Sequence, residues 1–201
     1  MPEYKLIYFN ARGRAELTRW IFAYGDIAYT DERFEMSDWP AKKQTVPGGR
    51  VPVLMVDGQS ILQSLTIARY AARQAGLVPQ DSLEAARCDE VVDTVSEIMS
   101  EVYQHFFKNP EGMQKTFKED ITPKLITPFL TRLEPQLQGK EWLTSGKVTW
   151  GDLALGLTMS GLKKFDEEVL KKYPSVEALV ERVVALPKIK EWNDKQSQLP
   201  F

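Results

Sequence analysis

The fold is decided by the stretch YKLIYFNARGRAELTRW, residues 4–20. Its first six residues alternate, which predicts a strand over 3–9, and a helical pattern follows over about 14–25. Tyr8 therefore stands where a strand turns into a helix, and first-strand residues of open α/β sheets commonly meet ligands there. Its hydroxyl can donate a hydrogen bond to an anion, while Arg14 adds a fixed positive charge. Taken alone, Tyr8 is better explained as a packing residue than as a catalytic one.

A second informative piece is Val51-Pro52, which precedes the apolar run VLMV at 53–56. The run predicts a strand over 52–56, and the Asp57-Gly58 turn signal predicts a hairpin to a strand over 60–62. Proline cannot donate to a sheet ladder, so Pro52 belongs at a strand start. A cis bond there would turn the Val51 amide and carbonyl away from the sheet and towards the backbone of a bound peptide. A trans bond is the default alternative.

Gln63-Ser64 is the third piece, and it directly precedes a helical pattern over 64–76. Ser64 is predicted to be the N-cap of that helix. The unpaired amides and the dipole at a helix N-terminus favour a carboxylate, and the Gln63 amide can bond an amino acid head group. A plain structural cap is the alternative. Together the three pieces suit one site that holds a small acidic thiol peptide and ionises its sulfur.

The chain divides into a mixed N-terminal part and a helical C-terminal part. A strand over about 28–35 and a loop holding Trp39 complete the α/β pattern of the first part. Residues 77–82 break the pattern, and no strand pattern recurs after them. We therefore predict an α/β domain over 1–77, a linker over 78–82 and an all-helical domain over 83–201. The predicted helices of the second domain cover about 83–106, 114–137 (bent or interrupted at Pro123, Pro128 and Pro135), 153–165, and two short segments near Pro174 and Pro187.

The composition bounds the possible functions. A formal net charge of -2 over 201 residues lacks the basic surplus that follows a phosphate backbone, so nucleic acid is not expected as a partner. No apolar run reaches the roughly 18 residues of a membrane span, and residues 1–20 lack a signal-peptide pattern, so we expect a cytoplasmic protein without a membrane partner. Cys88 is the one cysteine, which excludes an internal disulfide and a redox pair of cysteines. Any sulfur chemistry must come from the ligand.

Five short motifs taken together resemble the sigma class of the glutathione transferases. They are YFN at 8–10, GRAE at 13–16, DWP at 38–40, VPVL at 51–54 and QS at 63–64. That class includes glutathione-dependent prostaglandin D synthases, transferases of many invertebrates and lens S-crystallins. The resemblance implies a thioredoxin-like glutathione-binding domain, an all-helical second domain, glutathione as cosubstrate and a homodimer. It also implies conjugation of the glutathione thiol to hydrophobic electrophiles, an activity that serves detoxification.

The resemblance places the catalytic tyrosine of the family on Tyr8, with Arg14 as its class-specific neighbour. A cysteine-like thiol has a pKa of about 8.5, so at neutral pH most of it is protonated. A hydrogen bond from Tyr8 favours the thiolate. Lowering that pKa by about two units requires roughly 2.7 kcal/mol, which one charge-assisted hydrogen bond and the field of Arg14 can supply. Tyr8 is thus predicted to donate to the nucleophile of the cosubstrate and not to act as a general base.

Further glutathione contacts follow from the same resemblance. Trp39 and Lys43 fall where an indole N–H and an ammonium reach the terminal glycine carboxylate. Gly49, Arg50 and Val51 match the stretch that supplies backbone contacts to the cysteinyl moiety. A packed aromatic for Trp39 and a solvated charge for Lys43 are the alternatives.

A row of carboxylates recurs at every fourth residue of the third predicted helix, namely Asp89, Asp93, Glu97 and Glu101. Such a row most simply marks a solvated helix face. The resemblance gives Glu97 a second role, because sigma-class members often carry an aspartate there that reaches the glutathione amino group across the dimer. Some relatives gather carboxylates near Asp93 and Glu97 around a divalent cation, but Ser96 replaces one of them here, so no metal is expected.

The electrophile is expected beside Tyr8, in an apolar pocket whose predicted lining is Ala11, Gly13, Met99, Tyr103, Gln104 and Phe201. Vertebrate prostaglandin synthases place a tryptophan where Gln104 falls and a tyrosine where Ala154 falls. These departures weaken the alternative that the protein is a glutathione-dependent prostaglandin H to D isomerase, but they leave it open. A non-catalytic crystallin or ligand-binding relative is the other alternative, although the stretch at 108–112 is short where crystallins commonly carry a long insertion.

Overall fold

The computed structural model describes residues 2–144 and 146–196, which form two compact units. The first unit comprises the chain up to Leu77 together with the segment from Pro187 onward, and the second comprises Val78–Leu186. The predicted fold class is confirmed, because a four-stranded α/β unit is followed by a helical one. Within the residues described, no helix combines the length and the apolar character that crossing a membrane requires.

Four strands form the sheet of the first unit: β1 (Tyr4–Phe9), β2 (Thr30–Phe34), β3 (Val53–Val56) and β4 (Gln59–Leu62). Their order is β2-β1-β3-β4; β1 is parallel to β2, whereas β3 is antiparallel to both β1 and β4. Because β1 is central, its Leu6 and the facing Leu54 of β3 are fully buried. The predicted strands are all present, with ends shifted by one or two residues.

Helices α1 (Glu16–Tyr24) and α3 (Ser64–Gln74) pack against each other in the first unit, and the short helix α2 (Trp39–Lys42) follows β2. The face that α3 buries consists of Ile67, Ala68, Ala71 and Ala72. These positions recur at helical spacing, as expected of an amphipathic helix. Small alanine side chains on that face allow α1 and α3 to lie close together.

The C-terminal helix α9 (Pro187–Lys195) belongs to the first unit, whereas the sequence assigned 83–201 as a whole to the second domain. It packs on α1, where the Trp192 indole Nε1 donates to Glu16 at 2.8 Å. An exposed ion pair at 2.6 Å joins Lys188 to Asp26. The boundary differs because these contacts are remote in sequence and leave no local pattern.

Helices make up the second unit: α4 (Ser82–Lys108), α5 (Met113–Thr116), α6 (Thr127–Leu137), α7 (Trp150–Leu162) and α8 (Pro174–Val184). α7 lies between α4 and α8 and contacts both. Its start is fixed by a buried capping box, in which Thr149 and Asp152 bond each other's backbone. Cys88 of α4 donates to the Thr149 hydroxyl, and burial raises the pKa of its thiol to about 11, so this cysteine has a structural role.

The predicted helix over 114–137 consists of three segments. Between α5 and α6, Phe117–Ile126 forms π-helical turns around Pro123, which lacks the N–H that a regular turn would use. Pro128 lies in the first turn of α6, where a missing N–H costs little. Of the two expectations at Pro135, a bend or an interruption, the interruption does not occur, because α6 continues through it to Leu137.

Candidate active site

Three strand ends meet at one edge of the sheet. Ile7 of β1 lies opposite Val53 of β3, and Val53 lies opposite Leu62 of β4. Tyr8, Pro52 and Gln63 each lie one residue beyond this row. The register therefore brings together the three pieces of sequence that were singled out as candidates.

Tyr8 is 8% exposed, and its ring packs against Phe9 with the centroids 5.3 Å apart. Its hydroxyl accepts a hydrogen bond from the backbone N–H of Arg14 at 3.1 Å. A phenolic oxygen that accepts from an amide still carries its own proton. The contact therefore orients the Tyr8 hydroxyl as a donor towards whatever lies next to it.

The surroundings of Tyr8 favour its neutral form. Burial raises the pKa of the Tyr8 phenol, while the Arg14 amide and the positive charges of Arg14 and Arg19 oppose that change. The guanidinium of Arg19 lies 5.8 Å from the centre of the Tyr8 ring. Because a raised pKa keeps the proton on the oxygen at neutral pH, Tyr8 is suited to donate and unsuited to abstract a proton.

The loop after β1 approaches the Tyr8 hydroxyl closely. Gly13 has a φ of 47°, and a Cβ built there would lie 2.7 Å from the hydroxyl oxygen. Only glycine combines that backbone conformation with the required space. Gly13, predicted to line the electrophile pocket, thus lies directly against the Tyr8 hydroxyl, and Ala11 lies half-buried two residues before it.

The Val51-Pro52 bond is cis, as one reading of the sequence predicted. The β1–β3 ladder begins only at Val53, so the Val51 backbone lies outside it. Val51 packs against a small core cluster that includes Val53 and Phe34, and Pro52 is buried. This packing fixes the Val51 amide and carbonyl beside the end of β1.

The start of α3 differs from the prediction. Gln63, not Ser64, occupies the N-cap position, and its carbonyl accepts from the Ile67 amide at 2.9 Å. The prediction of Ser64 as the cap is wrong because Gln63 has a φ of 74°, which starts the helix one residue earlier. Ser64 is therefore the first helical residue, and the first-turn amides have no partner within the helix. Such an end can bind a carboxylate.

Trp39 is part of an aromatic cluster with Phe9 and Phe34, at centroid distances of 5.4 and 6.0 Å. Trp39 therefore packs against its aromatic neighbours, as one alternative expected, although its indole is only partly buried. Lys43 follows α2, is exposed, and donates its amide to the Trp39 carbonyl at 2.8 Å. Gly49 lies against it, since a Cβ there would be 3.4 Å from the Lys43 carbonyl oxygen, and Arg50 is exposed next to Gly49.

The remaining candidates lie on α4 in the second unit. Met99 and Tyr103 are half-buried, whereas Glu97 and Gln104 are exposed. The Tyr103 ring stacks on Phe107 at 6.4 Å, and Phe107 is 73% exposed. Phe107 was not among the candidates from the sequence; it lies four residues after Tyr103 and therefore on the same face of α4. Phe201 lies outside the described residues, and among those described no group of three potential metal ligands comes together.

Both family models of the glutathione S-transferases match this chain, the N-terminal domain over residues 4–73 and the C-terminal domain over 93–196. The chain belongs to the glutathione S-transferase family. It is 43% identical over 196 residues to hematopoietic prostaglandin D synthase of Gallus gallus, covering 98% of each chain. It is 31% identical over 207 residues to glutathione S-transferase 1 of Ascaris suum, covering 100% of each.

Solved structures agree with this family membership. The structure of rat hematopoietic prostaglandin D synthase in complex with a quinoline matches with a TM-score of 0.89 at 39% identity, covering 100% of both chains. The predicted resemblance, the two-part transferase fold and the enzyme class are therefore confirmed. In this family, glutathione is the cosubstrate.

We expect Gly13→Ala to impair glutathione conjugation, because the new methyl group must displace the Tyr8 hydroxyl or the Arg14 amide. The predicted loss in kcat/KM is roughly tenfold to hundredfold, the usual cost of a small misplacement at a reacting centre. Steady-state kinetics with glutathione and a chloronitrobenzene measure it. The matched control is Gly58→Ala, where φ is 82° and a Cβ would meet nothing within 4 Å. Equal losses in the two variants would show that backbone strain, not contact with Tyr8, is responsible.

Proposed function

We propose that this transferase conjugates glutathione to hydrophobic electrophiles through a thiolate that Tyr8 stabilises. The observation that carries the proposal is the 3.1 Å hydrogen bond from the Arg14 amide to the Tyr8 hydroxyl. Because that amide occupies the oxygen as an acceptor, the phenolic proton is directed to a ligand. A sulfur next to Tyr8 would receive it as a hydrogen bond that favours the charged form.

The chemistry needs no base on the protein. A thiol with a pKa of about 8.5 loses its proton to solvent once the thiolate is favoured. The thiolate then forms a bond to the electrophilic carbon, and the bond from that carbon to its leaving group breaks, releasing chloride when the substrate is a chloronitrobenzene. Each lowering of the pKa by one unit corresponds to about 1.4 kcal/mol of preference for the thiolate. A neutral donor in a buried setting supplies this preference better than a solvated one, because water does not compete for the sulfur.

Glutathione binding is proposed to use the sheet edge and the loops beside it. The α3 N-terminus with Gln63 and Ser64 would hold the γ-glutamyl head group, since first-turn amides and the helix dipole favour a carboxylate. The Val51 backbone would pair with the cysteinyl residue. Gly49 and Arg50 would add backbone contacts to the same residue, and Trp39 and Lys43 would hold the glycine carboxylate end.

Tyr8→Phe tests the mechanism because it removes the hydroxyl and keeps the ring that packs on Phe9. We expect the thiolate absorbance of bound glutathione to titrate well below pH 8.5 in the native protein and close to about 8.5 in the variant. The kcat/KM should fall on the order of hundredfold, as for loss of one donor to a developing anion. An unshifted thiol in the native protein would rule out the proposed mechanism.

A prostaglandin H to D isomerase is the second candidate, favoured by several of the relatives to which this chain is similar. Four hematopoietic prostaglandin D synthases match at 39% to 43% identity over 98% of the chain. Isomerisation would use the same thiolate. Against it, Gln104 and Ala154 supply no aromatic ring at two positions where the vertebrate synthases carry one.

Product analysis separates the two functions. We expect conjugation of a chloronitrobenzene to proceed with a higher kcat/KM than conversion of prostaglandin H, and Gln104→Trp to shift that ratio towards the isomerase. Both activities should fall together in Tyr8→Phe, since both need the thiolate. A native protein that converts prostaglandin H more efficiently than it conjugates would make isomerisation the principal function.

We propose that the enzyme is a cytoplasmic homodimer that detoxifies electrophiles, and that Glu97 of each subunit contacts glutathione bound to its partner. Glu97 is exposed on α4, as a residue reaching another chain must be. We expect the native protein to sediment as a homodimer and the Glu97→Ala variant to have a raised KM for glutathione.

Mixed dimers test the contact across subunits. When a Tyr8→Phe subunit pairs with a Glu97→Ala subunit, the site with intact Tyr8 faces a partner with intact Glu97. That site should regain the native KM for glutathione at about half of the native kcat per dimer. A mixed dimer with the raised KM of Glu97→Ala would show that Glu97 acts within its own subunit.

A further inference from the structure

Arg19 of α1 is a fully buried cation, and sequence reasoning passed over it. Its Nε donates to Asp31 at 3.3 Å, and its Nη1 lies 3.1 Å from Glu16, which is also buried. A buried guanidinium costs several kcal/mol of desolvation unless such partners compensate it. Because burying Arg19 beside Tyr8 carries this desolvation cost, we expect its side chain to have a specific role.

The same guanidinium holds the loop that approaches Tyr8. Nη1 donates to the carbonyl of Ala11 at 2.7 Å and to that of Arg12 at 3.3 Å. Two residues after Arg12, the Arg14 amide donates to the Tyr8 hydroxyl. The position of that amide is therefore tied to Arg19 through a short piece of backbone.

The other end of this chain of contacts is the C-terminal helix α9. One carboxylate oxygen of Glu16 accepts from Trp192 Nε1 at 2.8 Å, and the other accepts from Arg19. With one oxygen on the indole and one on the guanidinium, the Glu16 carboxylate has a single orientation. A planar guanidinium bonded on several sides is likewise confined to one position.

We propose that Arg19 is a positioning residue for the transfer reaction, and that Trp192 acts through Glu16 to hold it in place. The inference rests on the proposed function, since the group being positioned is the hydroxyl that would donate to the glutathione sulfur. The contact of α9 with Glu16 thereby helps to keep the Tyr8 hydroxyl oriented. None of these three side chains needs to touch a substrate.

Trp192→Phe is the decisive variant, because it removes the indole N–H and keeps an aromatic ring. Arg19→Lys is the second variant; it keeps the charge and loses the planar fork. We expect hydrogen exchange of the Arg14 amide in the unliganded protein to accelerate roughly tenfold in both, and the pKa of bound glutathione to rise by up to about one unit. The kcat should fall with little change in the KM for glutathione, because the binding contacts are intact.

Lys188→Gln is the matched control, since it breaks an exposed contact of the same helix to Asp26 and leaves Glu16 and Trp192 in place. Native Arg14 exchange and a native thiol pKa are expected there. Unchanged exchange and thiol pKa in Trp192→Phe, or equal changes in Lys188→Gln, would overturn the proposal. A native protein whose bound thiol is unshifted would overturn the proposed function instead, while Arg14 exchange would still decide whether Arg19 and Trp192 position the loop.

Discussion

The hydrogen bond from the Arg14 amide to the Tyr8 hydroxyl is the contact on which the candidate site depends. It uses the phenolic oxygen as an acceptor, so the proton points outward, and burial keeps the phenol neutral. The contact forms only because Gly13 takes a left-handed conformation with no side chain between the amide and the phenol. The backbone that carries the ring is held in place, since β1 is paired with a strand on each side.

Irregular backbone lies where ligand contacts are proposed, and regular elements hold it in place. Gln63 takes its positive φ directly after Leu62, the last paired residue of β4. A non-glycine residue in that region costs roughly 1–3 kcal/mol, which only surrounding packing can offset. Helix α3 supplies that packing, because it buries one face and contacts α1. The helix therefore holds the strained residue and at the same time presents its first-turn amides at the sheet edge.

Local patterns predicted most of the fold and singled out the three pieces of the candidate site, because Tyr8, Val51-Pro52 and Gln63-Ser64 all lie at the ends of short periodic segments. Their meeting at one edge follows from strand register. The prediction that Ser64 is the N-cap was wrong because the start of the helix depends on the φ of Gln63, which the residue type does not reveal. The docking of α9 was missed because Trp192 and Glu16 are 176 residues apart. Arg19 was passed over because an arginine on a helix is expected to be exposed to solvent unless its buried carboxylate partners are known.

Conjugation and isomerisation would share one thiolate, so the difference between them must come from the side chains that meet the second substrate. The aromatic surface of α4 comes from Tyr103 and Phe107, one turn apart, with Gln104 exposed beside them. Stacked rings of this kind suit flat, conjugated electrophiles, whereas a long lipid chain needs apolar walls that enclose it. Ala154 of α7 is buried, and its small side chain cannot form such an apolar wall. Sulfur ionisation would thus depend on the Arg14 amide and the Tyr8 hydroxyl, and substrate choice on other side chains, so that either property can change while the other is kept.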